Sequence, residues 1–384
     1  MSKIAVLHPN LMNKGGAESV CVNTIEALRD HEVHLFTISE INQAELDQYY
    51  NTNLTDSDFK IHKLDWSVMA RGYRLIDEAT AKNLHFLEHA VIDRIVSSQT
   101  EQFDMYINTN GECSIEGNSI QYIHFPKYHR DEIPGNFHTQ PYTLDLFHNL
   151  CRTVSGFKKD NLGNAYPITN SMWTKNIIDE IYGVDSTVIY PPVDISQFNP
   201  EPWSSKSENF VTIGRITPDK NVLEIIKIIS RVRQSGYENI GLFIIGSKTN
   251  SSYFEAVKQK AEKNSFITLF TDVNRGELAD IVCSQKFGIH GKSNEHFGMA
   301  VAELVAGGAI PFVPNEGGQS NIVQNRPELQ YDNIQDAVKK IIMVLEDNQK
   351  QNLLRNQLSS QRDKFSSERY KENIQSLVEK LMYR

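Results

Sequence analysis

Residues 287–315 read FGIHGKSNEHFGMAVAELVAGGAIPFVPN and contain the pattern that decides the fold. The run FGIH is typical of a buried strand, and a polar loop follows it. Residues 299–306 are strong helix formers with no polar face, and the pair Gly307-Gly308 is a helix stop. The run AIPFV then predicts a second strand. Strand, loop, helix and strand in this order form a βαβ unit, which predicts a parallel sheet.

Glu303 needs an explanation, because it lies inside the apolar helix of this unit. A helix that is apolar all round is buried, and an ionised carboxylate buried without a partner costs several kcal/mol. Two interpretations follow. Glu303 faces a cleft, where carboxylates bind ribose hydroxyls in dinucleotide folds, or it forms a buried salt bridge with a lysine or arginine.

The same alternation of strands and helices extends along the chain in two halves. The first half opens with the strand KIAVLH at residues 3–8, and a linker rich in proline, serine and asparagine follows at residues 190–209. We therefore predict an α/β protein with two Rossmann-like, doubly wound domains facing across a cleft. The domains span residues 1–192 and 193–365, and a last helix at residues 366–384 returns to the first domain.

The composition restricts the class of protein. The chain has 384 residues, 40% hydrophobic and 23% charged, which suits a soluble protein of two domains. A net charge of −9 argues against a general nucleic-acid binder, which needs clustered lysine and arginine. The four cysteines are scattered without C-x-x-C pairs, as in a reduced, cytoplasmic protein. We expect a cytoplasmic location, with peripheral contact to the inner membrane face as an alternative.

The membrane alternative depends on residues 66–75, WSVMARGYRL, which mix aromatic, apolar and basic side chains. Such a stretch suits a lipid surface or a glycan acceptor, and it equally suits an amphipathic packing segment. No segment of the sequence approaches the roughly 20 apolar residues of a membrane span.

Loops that follow strands are the candidate ligand sites, because ligands of open α/β sheets collect at the carboxyl ends of the strands. In the loop NKGGAES, Gly15 and Gly16 allow backbone amides to approach a ligand just before a helix, although a plain tight turn explains them equally well. In GRITPDK, Arg215 and Lys220 suit a diphosphate, and a solvated loop is the alternative.

Two further loops carry candidate residues. The loop at residues 291–298 contains Glu295 and leads into a predicted helix, where the amides of Phe297, Gly298 and Met299 lie at the N-terminus and suit an anion. His124, in YIHFPKYHR, ends a strand of the first half. Its near-neutral intrinsic pKa suits hydrogen bonding or proton transfer, and a structural histidine is the alternative.

The combination of motifs resembles glycosyltransferase family 4, the retaining, sugar-nucleotide-dependent enzymes of the GT-B fold. The resemblance depends on NEHFGMAVAE with its two glutamates eight positions apart, and on GRITPDKN, PNEGGQSNIV and NSMWTKNIIDEIYG. Within that family, NEHFG, PNEGG and YIHFP are most similar to the α-1,2-mannosyltransferases that extend dolichol-linked oligosaccharides. Those enzymes carry an N-terminal membrane anchor, for which we find no pattern here.

The resemblance implies a role for each matching position of the second half. Arg215 and Lys220 would hold the donor diphosphate, and Glu303 would bind the ribose. Glu295, together with the backbone of residues 297–299, would orient the hydroxyls of the donor sugar.

The resemblance also implies roles for the first half and for the reaction. His124 would contact the sugar, and Gly15 and Gly16 would line the phosphate and acceptor side. The enzyme would need no metal and no cofactor, and it would use a nucleotide-diphosphate sugar as co-substrate. Its acceptor would be a glycan or a lipid-linked saccharide, and nucleic acid would not be a partner.

Two other functions remain open on the sequence alone. The same fold would also suit a catalytically silent module that binds a sugar nucleotide or a glycan. Residues 85–89, HFLEH, match the H-x-x-E-H pattern of zinc peptidases, which is a remote alternative.

Overall fold

The structure is a computed structural model that describes residues 1–64, 84–98, 102–133, 142–248 and 251–382. The segment 66–75, which we considered for membrane contact, lies outside these described residues. The chain divides into two compact units, one formed by Met1–Pro192 with Ser367–Arg384 and the other by Val193–Ser366.

The first unit contains a seven-stranded sheet of order β3-β2-β1-β4-β5-β6-β7 in which neighbouring strands run parallel. Its strands are β1 (Lys3–Leu7), β2 (Glu32–Thr37), β3 (Phe59–Lys63), β4 (Met105–Asn108), β5 (Ser119–Ile123), β6 (Tyr166–Thr169) and β7 (Thr187–Val188). Its helices are α1 (Gly16–Ala27), α2 (Gln43–Tyr50), α3 (Leu84–Ser97), α4 (Tyr142–Ser155), α5 (Lys159–Gly163), α6 (Met172–Tyr182) and α14 (Ser367–Met382).

The second unit contains a six-stranded parallel sheet of order β10-β9-β8-β11-β12-β13. Its strands are β8 (Ser207–Ile213), β9 (Leu242–Gly246), β10 (Ile267–Thr271), β11 (Gln285–Ile289), β12 (Ile310–Pro314) and β13 (Gln330–Tyr331). Its helices are α7 (Val222–Gln234), α8 (Ser252–Glu262), α9 (Arg275–Cys283), α10 (Met299–Ala306), α11 (Gln319–Ile322), α12 (Ile334–Leu345) and α13 (Asn348–Ser359).

The central strands are apolar because helices cover both faces of a parallel sheet. All five residues of β12 are buried, as are the last four of β1. The βαβ unit predicted from residues 287–315 is present as β11, α10 and β12. The predicted α/β architecture with two doubly wound sheets is therefore confirmed.

The strand β3 and the helix α2 of the first unit were not predicted. The strand β3 carries exposed lysines, Lys60 and Lys63, and lies at the edge of the sheet, so its sequence has no apolar run. The helix α2 has only Leu46 and Tyr50 buried, which gives it too few apolar positions for a clear helical period.

The C-terminal helix α14 packs against α1 of the first unit. The hydroxyl of Tyr370 lies 2.7 Å from that of Thr24, and Lys371 Nζ donates to Glu26 Oε2 at 2.9 Å. Gln375 Nε2 donates to the carbonyl of Ala27, also at the end of α1. The last helix thus completes the core of the first unit.

In the described ranges, no helix combines the length and the apolar character that crossing a membrane would require.

Candidate active site

The candidate site of the second unit lies where two neighbouring strands end. β8 and β11 are adjacent in the sheet, so the loops that follow them meet at its carboxyl edge. The first loop carries Arg215 and Lys220, and the second carries His290, Lys292 and Glu295. The structure therefore brings together residues about 75 positions apart that the sequence predicts in separate loops.

Glu295 is the centre of this cluster. Its Oε2 accepts a hydrogen bond from Lys220 Nζ at 2.6 Å, and His290 Nε2 lies 3.4 Å from the same oxygen. Lys292 Nζ lies 3.5 Å from Oε1 and 3.7 Å from a carboxylate oxygen of Asp219. Three basic side chains thus surround one largely buried carboxylate.

This arrangement keeps Glu295 ionised. Burial alone would raise the pKa of its carboxyl, but the nearby His290 imidazole and the charges of Lys220 and Lys292 hold that pKa well below its usual range. Burial also lowers the pKa of His290, and the nearby carboxylate of Glu295 only partly opposes this shift. The site is therefore preformed around a carboxylate anion whose position the surrounding donors fix.

Glycines of the PNEGG segment fix the backbone of Glu295. Gly317 forms an isolated bridge with Glu295, and Gly318 N donates to the Glu295 carbonyl at 2.6 Å. Gly317 has φ 112°, and a Cβ there would lie 2.6 Å from Glu295 N, so a larger residue would displace the loop. The two motifs NEHFG and PNEGG are thus one structural unit.

Arg215 is exposed and forms no ion pair among the described residues. Together with Lys220, His290 and Gly214 it lines a small cleft over the end of β8. Gly246 of the neighbouring strand allows close packing here, because a Cβ there would lie 2.2 Å from the Gly214 carbonyl oxygen. A guanidinium with all its donors available beside Lys220 suits a diphosphate.

Glu303 forms the salt bridge that the sequence left as an alternative. Its Oε1 accepts from Arg275 Nη1 at 2.6 Å, and only 9% of its side chain is exposed. Arg275 begins α9, directly after the carboxyl end of β10. The ion pair therefore lies at the edge of the sheet that carries the other candidate residues, and the ribose role of Glu303 stays a prediction.

The backbone at the start of α10 has the predicted form. Gly298 is the N-cap with φ 107°, which favours glycine, and Met299 is the first helical residue. Phe297 is buried with its ring 5.6 Å from that of Phe365. Amides at such a helix start suit an anion, and their role with a donor stays a prediction.

The first unit has a separate cluster of polar residues at the carboxyl edge of its own sheet. His8 follows β1 and His124 follows β5, and β4 with Thr109 lies between them. His8 Nδ1 lies 2.9 Å from Thr109 Oγ1, and His124 Nε2 lies 2.9 Å from the Thr109 carbonyl oxygen. Since a carbonyl only accepts, His124 Nε2 carries the proton, and Nδ1 is left as an acceptor.

The near-neutral pKa expected for His124 is wrong. Burial lowers the pKa of this imidazole to about 4, and the hydrogen bond to Thr109 only partly opposes the shift. His124 is therefore neutral at physiological pH and suits a hydrogen bond accepted from a hydroxyl. It does not suit the donation of a proton.

The lowered pKa of His124 predicts a pH dependence of stability. Between pH about 4 and about 6.5 the unfolded chain binds the proton that the folded unit does not, so stability falls as the pH falls through this window. His124→Gln keeps an N–H donor without a titrating group. It should therefore reduce the loss of folding free energy between pH 7 and pH 4.5 by about 2 to 3 kcal/mol. Urea unfolding at pH 7 and pH 4.5 measures the difference. Equal acid sensitivity of both proteins would contradict the assignment.

Lys127 is a residue of this cluster that the sequence did not single out. It is 8% exposed, and its Nζ donates to Asn110 Oδ1. Burial lowers the pKa of Lys127 to about 7, against the opposing charges of Glu112 and Glu18. Its position three residues after His124, in the same strand-following loop, was the available signal.

The side-chain carboxylate of Glu18 caps the glycine loop of the first unit. Gly15 N donates to Glu18 Oε2 at 2.9 Å, and Glu18 Oε1 lies 3.7 Å from His8 Nε2. The Gly15 carbonyl accepts from the Tyr50 hydroxyl at 2.9 Å. A ligand phosphate at Gly15 and Gly16 would therefore compete with Glu18 for the Gly15 amide.

The H-x-x-E-H pattern does not form a metal site among the described residues. His89 is 2% exposed, and its Nε2 donates to the Glu112 carbonyl at 2.8 Å. His85 lies exposed on the same helix. One of the two ligand nitrogens that a zinc peptidase would use is thus held by the backbone.

The second unit is the part of the chain that a known family matches. Residues 194–361 match the family model described as glycosyl transferases group 1. The candidate residues around Glu295 all fall inside this range. The chain therefore contains a glycosyltransferase group 1 domain, as the motif resemblance predicts.

Curated relatives are similar over the same region. GDP-Man:Man(3)GlcNAc(2)-PP-Dol alpha-1,2-mannosyltransferase of Candida glabrata is 30% identical over 167 residues, which cover 39% of this chain and 33% of that enzyme. The Homo sapiens enzyme of the same name is 25% identical over 167 residues, covering 39% of this chain and 34% of the relative. The Dictyostelium discoideum enzyme is 22% identical over 260 residues, or 62% of this chain and 50% of the relative. The matches thus span a third to a half of these relatives' length.

Solved glycosyltransferase structures share the fold along the whole chain. Anabaena HepE in complex with UDP and glucose superposes with a TM-score of 0.65 at 13% identity, covering 99% of this chain and all of that one. Sucrose-phosphate synthase of Thermosynechococcus elongatus gives a TM-score of 0.69 at 13% identity, with complete coverage of both chains. At this identity the likeness shows the GT-B fold alone.

Proposed function

We propose that the chain is a retaining hexosyltransferase that uses a nucleotide-diphosphate sugar. The observation that carries the proposal is the cluster of Lys220, His290 and Lys292 around Glu295, beside the exposed Arg215, within the glycosyltransferase group 1 domain. It offers cations for a diphosphate and an ordered carboxylate for sugar hydroxyls at the same edge of one sheet.

The charges of the cluster support this division of roles. A diphosphate that arrives beside Lys220 competes with Glu295 for the ammonium, and Lys292 and His290 still hold the carboxylate. Lys220 and Arg215 then face the leaving group, where negative charge develops as the anomeric bond breaks. Because these two cations supply the neutralisation, we propose that the reaction needs no metal and no cofactor.

The proposed reaction is a front-face displacement. The bond between the anomeric carbon and the leaving phosphate oxygen breaks, and its electron pair stays on the diphosphate. The acceptor hydroxyl oxygen bonds to the same face of the anomeric carbon, and its proton moves to a phosphate oxygen. Configuration is thereby retained without a covalent enzyme intermediate. His124 Nδ1 accepts a hydrogen bond from a saccharide hydroxyl.

The names of the relatives suggest the first substrates to test. The curated relatives are GDP-mannose-dependent and act on a dolichol-diphosphate oligosaccharide, according to their names. We propose a glycan or lipid-linked saccharide as acceptor, and GDP-mannose as the first donor in a panel of nucleotide sugars. Contact with the membrane would then be peripheral, through the acceptor.

Donor hydrolysis and transfer, measured with EDTA present, test the proposal. We expect turnover of one donor without added metal, with product of retained anomeric configuration by NMR. Binding of a nucleotide sugar without hydrolysis or transfer to any saccharide offered would instead favour a catalytically silent binding module.

The ribose role of Glu303 gives a prediction that separates binding from structure. Glu303→Gln should weaken binding of the nucleoside diphosphate by about tenfold, because a charge-assisted hydrogen bond contributes roughly 1.5 to 3 kcal/mol. The wild type should also prefer the nucleotide over its 2′-deoxy analogue, and the variant should lose this preference. Calorimetric titration of both ligands into both proteins measures the two effects.

Arg275→Ala provides the control for Glu303. If Glu303 served only the ion pair with Arg275, both variants would lower the stability of the protein by similar amounts. The wild type would then bind the 2′-deoxy analogue as tightly as the nucleotide itself. That outcome would remove the ribose role.

A further inference from the structure

A second cavity of the second unit lies at the amino edge of its sheet, opposite the candidate active site. The segment from Pro200 to Lys206 precedes β8, whereas Arg215 follows it, so the two lie at opposite ends of the strand. The cavity has a volume of about 260 Å³. Its walls come from three places: the segment before β8, the end of α10 with the turn after it, and the end of α13 with the residues that follow.

Lys206 closes the back of this cavity and is 5% exposed. Its Nζ donates to the carbonyls of Cys283 at 2.5 Å, Gln285 at 3.2 Å and Gly307 at 2.6 Å. Three acceptors use all three N–H groups, so the side chain is an ammonium ion. Cys283 ends α9 and Gly307 caps α10, so helix C-termini stabilise this charge. Lys206 forms no carboxylate ion pair among the described residues.

Arg355 supplies a cation whose donors are available. Its guanidinium carbon lies 5.3 Å from the centroid of the Trp203 ring, and it forms no ion pair or side-chain hydrogen bond within the described ranges. Arg362 is held more firmly, since its Nη2 donates to the carbonyls of Ile195 at 3.1 Å and Phe198 at 2.5 Å. The planar fork of Arg355 is therefore free to bind an anion in bidentate fashion.

The other lining residues combine an apolar wall with polar side chains, as the C–H face and the hydroxyls of a small sugar ring require. Apolar side chains form part of the wall: Val305, Ala306, Ala309 and Leu358. Exposed polar side chains capable of bonding hydroxyls are those of Glu201, Asn356 and Ser359. Ligand pockets for drug-sized molecules span roughly 300 to 1,000 Å³, so a cavity just below this range suits a ligand smaller than a nucleotide sugar.

We propose that this cavity is a binding site for a phosphorylated monosaccharide. Three cationic side chains line it against the single carboxylate of Glu201, in a chain of net charge −9. Arg355 would bind the phosphate, the apolar wall would cover the C–H face of the sugar ring, and the polar rim would bond its hydroxyls. The site is separate from the proposed transferase chemistry and does not depend on it.

Calorimetric titration of the full chain with mannose 6-phosphate tests the proposal, with inorganic phosphate and mannose as separate probes. We expect the sugar phosphate to bind more tightly than either probe. Arg355→Ala should weaken it by at least about tenfold, since a hydrogen bond between charged groups contributes roughly 1.5 to 3 kcal/mol. Arg231→Ala removes the same charge from an exposed position of α7 outside the cavity and should leave binding unchanged.

Two further measurements separate this site from the candidate active site. Saturating GDP should not displace mannose 6-phosphate, and Arg215→Ala should not weaken it. Displacement by GDP, loss of binding in Arg215→Ala, unchanged binding in Arg355→Ala, or equal affinity for inorganic phosphate would each overturn the proposal. None of these readouts requires turnover, so a failed transferase assay leaves the result interpretable.

Discussion

Glu295→Gln should lower the transfer rate by about 10² to 10³ while leaving the affinity for the nucleoside diphosphate equal or higher. The amide keeps the size of the side chain but removes the charge that Lys220, His290 and Lys292 surround. Lys220 and Lys292 then face the diphosphate without a competing carboxylate, so the ligand binds at least as well. The sugar hydroxyls, however, lose the ionised acceptor that orients the anomeric carbon. Steady-state kinetics and nucleotide titration of the same preparation measure the two effects.

Glu316→Gln is the matched control for Glu295. Glu316 is exposed in the PNEGG segment, and its backbone carbonyl accepts from Asn294 N close to Glu295. Its side chain lies outside the cluster, so the control should keep the full rate. A normal rate in Glu295→Gln would remove the sugar-orienting role. A parallel loss of rate and nucleotide affinity would instead assign Glu295 a role in holding Lys220.

The fold could be predicted well because its strands are continuous apolar runs between polar loops. The helix predicted from residues 299–306 is observed as Met299–Ala306, and its neighbours β11 and β12 lie where the sequence places them. The amphipathic signal fails for elements that bury few residues. The edge strand β3 and the helix α2 are the examples, since both are mostly polar.

The candidate site could be predicted only in part, because a sequence shows loops and not the contacts between them. Arg215, Lys220 and Glu295 were found because each follows a strand. His290 was missed because it ends the apolar run FGIH and therefore resembles a core histidine. With 2% exposure it is indeed buried, although it also lies beside Glu295. Arg275 was missed because its partner Glu303 lies 28 positions further along the chain.

The pKa values illustrate the same limit. The intrinsic pKa of histidine led to a near-neutral His124, whereas burial lowers this pKa to about 4. Desolvation depends on the packing of the whole unit, which no short motif encodes. The sequence therefore shows which titratable residue stands at a candidate site, but the protonation state of that residue depends on the fold around it.

Arg215→Ala should lower turnover by about 10² to 10³, with a smaller loss of donor affinity. Arg215 is exposed and unpaired among the described residues, so its removal leaves no buried partner behind and the fold should remain intact. In the ground state, Lys220 still binds the diphosphate. As the anomeric bond breaks, the added negative charge needs the second cation most, and the penalty therefore falls on the rate. Single-turnover kinetics at saturating donor measure it.

Two further variants sharpen this prediction. Arg215→Lys keeps the charge but loses the planar fork, so it should recover only part of the rate if bidentate contact with the diphosphate matters. Arg231→Ala, on an exposed position of α7, controls for the change in net charge. If Arg215→Ala raised the KM for the donor and kept the full kcat, Arg215 would serve donor binding alike in the ground and transition states. Stabilisation of the leaving group would then fall to Lys220, with the backbone amides at the start of α10 as the remaining donors.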